Sequence, residues 1–193
     1  MMKKFIIALL FLSNFSIADN TVYLVRHAEK LIIKGEHNPE LTAIGQFRAL
    51  NIAKQLSEVG ITDIYSTQYN RTIQTARPLA DLLNLEIKDY DPRNLEEFAN
   101  QIKSTKGTIL IVGHSNTTPM LTSLISGKVV KPIAENEYDN LYQIITTEHQ
   151  IILNRFKSIP SYELNRPEPK LQSPPISHNN KSKVSHSEKQ NEH

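Results

Sequence analysis

Along the middle of the chain, hydrophobic positions recur with two different periods. The runs at 21–25 (Thr-Val-Tyr-Leu-Val) and 108–112 (Thr-Ile-Leu-Ile-Val) are short and β-rich, as strands buried on both faces require. Between them, Thr42 caps a helix predicted to reach residue 59, with Ile44, Phe47, Ala53 and Leu56 on its apolar face. A strand at 63–66 and a helix over 71–83 follow, and Pro78 inside that helix predicts a kink or break near Arg77. A weaker strand is predicted at 85–90, then a helix over 94–103 in which Leu95, Phe98 and Ile102 fall at helical spacing. The next helix starts at Asn116 or Thr117, tolerates Pro119 in its first turn, and presents Met120, Leu121, Leu124 and Ile125 as its buried face. Residues 141–147 and 150–154 read as an antiparallel pair around a Thr-Glu-His turn. Strands alternating with helices predict an α/β fold, a mostly parallel central sheet with helices on both faces, whose ligands gather at the carboxyl ends of strands.

The pattern changes at both ends. Basic Lys3 and Lys4, an apolar run over 5–12 and the small-residue pattern Ser16-Ile17-Ala18 have the order of a secretory signal peptide cleaved after Ala18. So short an apolar run falls well below the ~20 residues that span a bilayer, so no stable membrane insertion is expected after cleavage. Five of the ten prolines lie beyond residue 157, among Ser, His, Asn and Lys without apolar period, which reads as a disordered polar tail. The expected division is a signal peptide over 1–18, one domain over 19–156 with a single core, and a tail over 157–193. With no cysteine, disulfides and thiolate metal sites are excluded, and the whole fits an exported soluble protein, periplasmic in a Gram-negative cell. The net charge of +2 belongs to the ends, which carry +2 each and leave −2 on the domain, so no nucleic-acid partner is expected.

Three polar clusters follow predicted strands: Arg26-His27-Ala28-Glu29-Lys30, Ser66-Thr67 with Arg71-Thr72, and Gly113-His114-Ser115-Asn116. Two arginines and two histidines on one rim make a pocket for a dianion, because guanidinium forks match phosphate oxygens and imidazoles donate to them or attack phosphorus. Taken singly, each has a plainer reading. Arg26 fits a pair with Glu29, Arg71 an exposed helix-start arginine, His114 a turn histidine, and Asn116 either a phosphate contact or a helix cap. His27-x-Glu29 also has a metal-site reading, but the Pro-Cys-x-x-Cys partner this needs is absent, and no metal is expected.

In chain order, Arg26-His27-Ala28-Glu29 after a strand, Leu41-Thr42-x-x-Gly45, Ser66-Thr67 with Arg71-Thr72-x-Gln74-Thr75-Ala76, and Gly113-His114-Ser115 resemble the successive motifs of the histidine phosphatase superfamily. The resemblance covers residues 21–126 and implies a phosphoglycerate-mutase-like fold. It also implies that His27 attacks phosphorus and becomes phosphohistidine, that Arg26, Arg71 and His114 hold the phosphoryl oxygens, and that water completes hydrolysis. Asn116 is a further candidate for phosphate binding, and Glu29 a residue that orients the site from behind. The chain departs from the family's pattern at the proton donor, since Ser115 stands where the acid phosphatase branch has an aspartate. Asp91, just past a predicted strand end, is the expected general acid ahead of Glu97 and Asp139, with a turn-forming role before Pro92 as the alternative.

Mutase chemistry needs a phosphodonor cofactor retained in a closed site, and only 38 residues separate Thr75 from His114. Hydrolysis of a small-molecule phosphomonoester, without a cofactor, is therefore the expected reaction. Two alternatives remain: a phosphohistidine phosphatase acting on phosphoproteins, and a non-catalytic module that binds a phosphate ligand. Loops 30–39 and 129–139 are expected to form the pocket walls.

Overall fold

The computed structural model describes residues 20–158, so the signal peptide expected over 1–18 and nearly all of the tail expected over 157–193 lie outside the described residues. The chain runs β1 (Asn20–Arg26), α1 (Ala43–Leu56), β2 (Asp63–Ser66), α2 (Asn70–Leu83), β3 (Ile87–Asp89), α3 (Leu95–Ser104), β4 (Gly107–Gly113), α4 (Thr117–Ser126), β5 (Asn140–Thr146) and β6 (Ile151–Lys157). The strands form one sheet in the order β3-β2-β4-β1-β5-β6. The first four strands pair in parallel, while β5 runs antiparallel to β1 and β6 antiparallel to β5. This is the α/β architecture expected, with helices on both faces of the sheet.

Side-chain alternation along the two central strands builds both layers at once. Val22 and Leu24 of β1 and Ile109 and Ile111 of β4 pack with Phe98 and Ile102 of α3 and Leu121 and Ile125 of α4. The intervening Tyr23, Val25, Leu110 and Val112 pack with Ile52 and Leu56 of α1 and Leu79 of α2. Burial on both faces is why these strands read as unbroken apolar runs, each fully buried Leu or Ile contributing about 1.5–3 kcal/mol.

The helices differ from expectation where polar contacts outrank hydrophobicity. Thr42 caps α1 as predicted, accepting from the Gly45 amide at 3.0 Å, but the helix ends at Leu56 and leaves Ile44 and Phe47 about half exposed. Ala53 and Leu56 are buried as expected, and Gly45, Arg48, Ala49, Asn51 and Ile52 complete the buried face in place of Ile44 and Phe47. Two contacts fix that rotation. A Cβ on Gly45 would lie 2.2 Å from the Glu29 carbonyl oxygen, and buried Arg48 reaches both the Glu29 carboxylate and the Ser158 carbonyl. Pro78 does not break α2, which is continuous from Asn70 to Leu83. The helix keeps Thr75, Ala76, Leu79 and Ala80 buried against its neighbours, and that packing outweighs the ~3 kcal/mol cost of an interior proline. In α4, Met120 is exposed, and Thr117, Thr118, Pro119 and Thr122 join Leu121 and Ile125 on the buried face. The predicted 85–90 strand shrinks to β3, and at the carboxyl end β6 runs to Lys157 with Ser158 buried, past the expected boundary at 156.

The topology positions a crevice. β1 and β4 are parallel neighbours, with Arg26 opposite Gly113, yet the chain leaves β1 toward α1 on one face and β4 toward α4 on the other. Divergence of this kind opens a cleft at the carboxyl ends of the two strands.

Gly45→Ala tests the close approach that sets α1. Helix propensity alone favours alanine by about 1 kcal/mol, so a net loss of about 1 kcal/mol or more in urea unfolding isolates the clash with the Glu29 carbonyl.

Candidate active site

Arg26 and His27 leave β1 beside Gly113 and His114 leaving β4, and the His27 amide donates to the Gly113 carbonyl at 2.9 Å. Gly113 is required there, since a Cβ would come within 2.9 Å of the Tyr90, Thr117 and Thr118 hydroxyl oxygens. The His27 and His114 rings meet edge-on with centroids 5.5 Å apart. Arg71, in the first turn of α2, approaches His114 Nδ1 with Nη2 at 3.5 Å. Arg26, His27, Arg71 and His114 thus line one cavity of about 370 Å³.

Hydroxyls and amides from the motif residues hold these groups. Thr67, after β2, meets His114 Nε2 at 2.9 Å, and Thr72 donates to the carbonyls of Thr67 and Tyr69. Thr75 Oγ1 accepts the Ala28 amide at 2.9 Å, and Gln74 Oε1 accepts the Leu41 amide at 2.8 Å. Successive positions of α2 therefore pin the loop after β1 and the approach to α1. Thr117 Oγ1 accepts the His114 amide at 2.9 Å, and Thr118 donates to the Val25 carbonyl at 3.3 Å.

The protonation of both imidazoles follows from their partners. His27 Nδ1 lies 2.8 Å from the Ala28 carbonyl, which only accepts, so the ring proton sits on Nδ1 and Nε2 is left with its lone pair. Burial is the main force pulling the His27 pKa down to about 3, with Arg26, His114 and Arg71 adding to it against the opposing pull of the Ala28 bond. Burial, then Arg71 and Arg26, lowers His114 to about 4. Because a guanidinium only donates, His114 Nδ1 faces Arg71 as an acceptor, and its proton sits on Nε2 toward Thr67. At neutral pH the site holds two neutral imidazoles between two guanidiniums.

Arg26 is 1% exposed, and its environment was not foreseen. Nη1 donates to the carbonyls of Ala134, Glu135 and Glu137, Nη2 donates to Glu135 Oε2 at 3.0 Å, and the guanidinium stacks 4.2 Å from the Tyr138 ring centroid. Arg71 stacks likewise on Tyr69 at 4.4 Å. Arg26 does not pair with Glu29, whose carboxylate is gripped by Arg48 through Nε and Nη2. Glu29 thus orients α1 through Arg48, while the Ala28 carbonyl orients His27.

The other expected residues divide. Asn116 precedes α4 without a side-chain capping bond and lines the cavity. Asp91 does not reach it: its carboxylate is exposed and clamped by Arg93 Nε and Nη2 at 2.9 Å, which holds it below the usual carboxylate range. Glu97 pairs with Asn94 and Asp139 with Lys157, and neither is among the residues lining the cavity. The carboxylate that does line it is Glu135, accepting from Ser115 Oγ at 2.7 Å. Ser115 and then Arg26 and Lys30 keep that carboxyl below its ordinary range against the opposing effect of burial. Glu135 lies in the 129–139 loop expected to wall the pocket, but its contact with Arg26 was missed because it depends on β5 being antiparallel to β1, which brings the loop before Asn140 to the end of β1.

Comparison with known proteins agrees with this fold. Residues 22–99 match the model of the histidine phosphatase superfamily (branch 1). Over 77 residues the chain is 40% identical to a probable phosphoglycerate mutase GpmB of Enterobacter sp. (strain 638), covering 37% of this chain and 35% of that protein. The GpmB of Yersinia pestis (strain Pestoides F) is 42% identical over the same length and coverage. The match thus spans about a third of the curated relatives' length. Among solved structures, the protein histidine phosphatase SixA complexed with tungstate superposes with a TM-score of 0.58 at 16% identity, over 72% of this chain and 97% of that one. Phosphoserine phosphatase from Entamoeba histolytica, in complex with 3-phosphoglyceric acid, gives 0.54 at 17% identity over 72% and 98%.

The neutral imidazoles generate a pH prediction. His27 titrates near 6.5 when unfolded and only near 3 when folded, so below pH 6.5 the unfolded chain binds more protons and stability falls. Between pH 7.5 and 5.0 His27 accounts for a loss of up to about 2 kcal/mol in urea unfolding, and His27→Gln is expected to flatten that slope.

Proposed function

We propose that the chain is a member of the histidine phosphatase superfamily, as the match over residues 22–99 supports, and that it is a phosphomonoester hydrolase that works through a phosphohistidine on His27. The observation that carries this reading is the His27 ring itself, 3% exposed, with Nδ1–H committed to Ala28 and the Nε2 lone pair retained at neutral pH. A binding pocket has no need of a deprotonated nucleophile beside two arginines. In the proposed cycle the phosphoryl group lies among Arg26, Arg71, His114 and Asn116. His27 Nε2 forms the P–N bond as the ester P–O bond breaks, and the leaving oxygen keeps the bonding pair, departing as the anion or taking a proton from water in the open cavity. Water then attacks phosphorus, the P–N bond breaks with its electron pair returning to His27 Nε2, and inorganic phosphate leaves with the proton that water gives up passing to solvent.

The incoming dianion also changes His114. A doubly negative group beside it favours the protonated ring, so His114 becomes a donor to phosphate as Arg71 turns toward the same group. Because Asp91 is tied to Arg93 away from the cavity, leaving groups of low basicity are favoured, aryl esters and phosphoramidates above simple alkyl esters. That preference supports phosphohistidine hydrolysis as a second reading, in keeping with the SixA likeness. Mutase transfer is disfavoured because the residues between Thr75 and His114 are used by the end of α2, β3, α3 and β4, leaving no insertion to close the site. The substrate class is a small phosphorylated molecule, as in the 3-phosphoglyceric acid complex of the Entamoeba enzyme. The leader pattern over 1–18 supports export, periplasmic in a Gram-negative cell, and no described helix is long and apolar enough to cross a membrane.

The test is turnover of an aryl phosphate by the full chain, with phosphate release measured alongside acid-quenched and alkali-quenched intact mass. Phosphate release with an acid-labile phosphoryl adduct is expected, and His27→Ala is expected to abolish the adduct and cost roughly 10³-fold or more in turnover. A folded protein that binds vanadate but shows neither turnover nor adduct on aryl phosphates and phosphoramidates would make it a binding module.

A further inference from the structure

Arg26 has two hydrogen-bonding edges, and the fold uses them unequally. Nη1 is saturated by the three loop carbonyls at 2.9 to 3.0 Å. On the other edge, Nη2 donates to Glu135 Oε2 at 3.0 Å, while the buried Nε has no partner among the described residues. Nε–H and Nη2–H together form the fork that grips two oxygens of one anionic group. Glu135 thus gives the guanidinium one carboxylate oxygen and leaves the buried Nε–H unpaired. The same carboxylate is tethered at its other oxygen by Ser115, and its side chain is 82% exposed. Ser115, Arg26 and Glu135 line the same cavity as His27.

We propose that Glu135 sets the affinity of the phosphoryl pocket: in the empty protein its carboxylate occupies Arg26 Nη2 and Ser115 Oγ, and an entering phosphoryl group takes both donors by displacing it. This rests on reading the cavity as a phosphoryl site. The resident anion keeps the buried guanidinium compensated when no ligand is present, which an empty fork would not. It also raises the threshold for every incoming anion. A ligand that engages Nε and Nη2 together exceeds the one-oxygen contact it replaces, whereas a weakly held anion does not. Lys30, Arg71 and Arg93 at the same cavity supply the attraction that lets a phosphomonoester meet that threshold.

The experiment measures inorganic phosphate binding by calorimetry, and KM and kcat on an aryl and an alkyl phosphate, for the full-length wild type, Glu135→Gln and Glu135→Ala. Circular dichroism and melting establish that each variant is folded. Both variants are expected to bind phosphate more tightly by roughly three- to tenfold, the effect of removing one partly exposed competing charge, with KM falling in parallel. Phosphate binding that is unchanged or weaker in folded variants overturns the proposal and leaves the phosphoryl reading standing. A fall in kcat above tenfold on the alkyl ester alone also overturns it, since Glu135 would then be the proton donor. If wild type and variants all fail to bind phosphate, the phosphoryl reading fails together with the proposal.

Discussion

Burying the Arg26 guanidinium at the end of β1 obliges the surrounding chain to supply acceptors, because an uncompensated charge in the interior costs several kcal/mol. The sheet provides them through β5, whose antiparallel pairing with β1 starts at Leu141, opposite Val25, and delivers residues 134–138 to the carboxyl end of the strand. Three carbonyls, one carboxylate and the face of Tyr138 then enclose the cation. The loop that forms one wall of the cavity is thus folded around the arginine, and the geometry of the wall follows from the charge it neutralises.

Arg26 fixes one wall, and short polar side chains fix the rest. Thr42, Thr67, Thr72, Thr75, Thr117 and Thr118 each bond a backbone group or a histidine at the strand ends. Each bond contributes on the order of 1 kcal/mol. Their value to the site is positional, since a short hydroxyl side chain on packed backbone has few alternatives to the partners it meets. Gly45 and Gly113 complete this arrangement by letting α1 and β4 approach backbone and hydroxyl groups that a Cβ would push away.

Much of this was legible in the sequence because it is local. Strand runs at 21–25 and 108–112, the Thr42 cap and the clusters after each strand depend on neighbours in the chain, and the described elements carry them. What was misread depends on distant partners. Ile44 and Phe47 have the hydrophobicity of a core face, yet α1 is turned by Arg48 reaching Glu29 and Ser158, contacts no helical period encodes. Asp91 sits past a strand end as a catalytic acid would, but Arg93 two residues on takes its carboxylate. Glu135 lies in a loop the sequence placed at the pocket wall but carries no motif; its contact with Arg26 appears only once β5 is known to run against β1.

One electrostatic arrangement serves both halves of the proposed cycle. Burial and two guanidiniums keep His27 neutral, so its Nε2 lone pair is available without a general base to strip a proton from it. Forming the P–N bond places positive charge on that ring, in the same dry environment and beside the same arginines, where it is disfavoured. The phosphoryl group's own negative charge offsets this while Arg26 and Arg71 hold its oxygens. As water attacks and the bond to nitrogen lengthens, the ring returns to neutrality, the state the site favours. A field that frees the nucleophile is therefore also one that makes it a good leaving group, and hydrolysis through histidine needs that pairing more than it needs a strong acid.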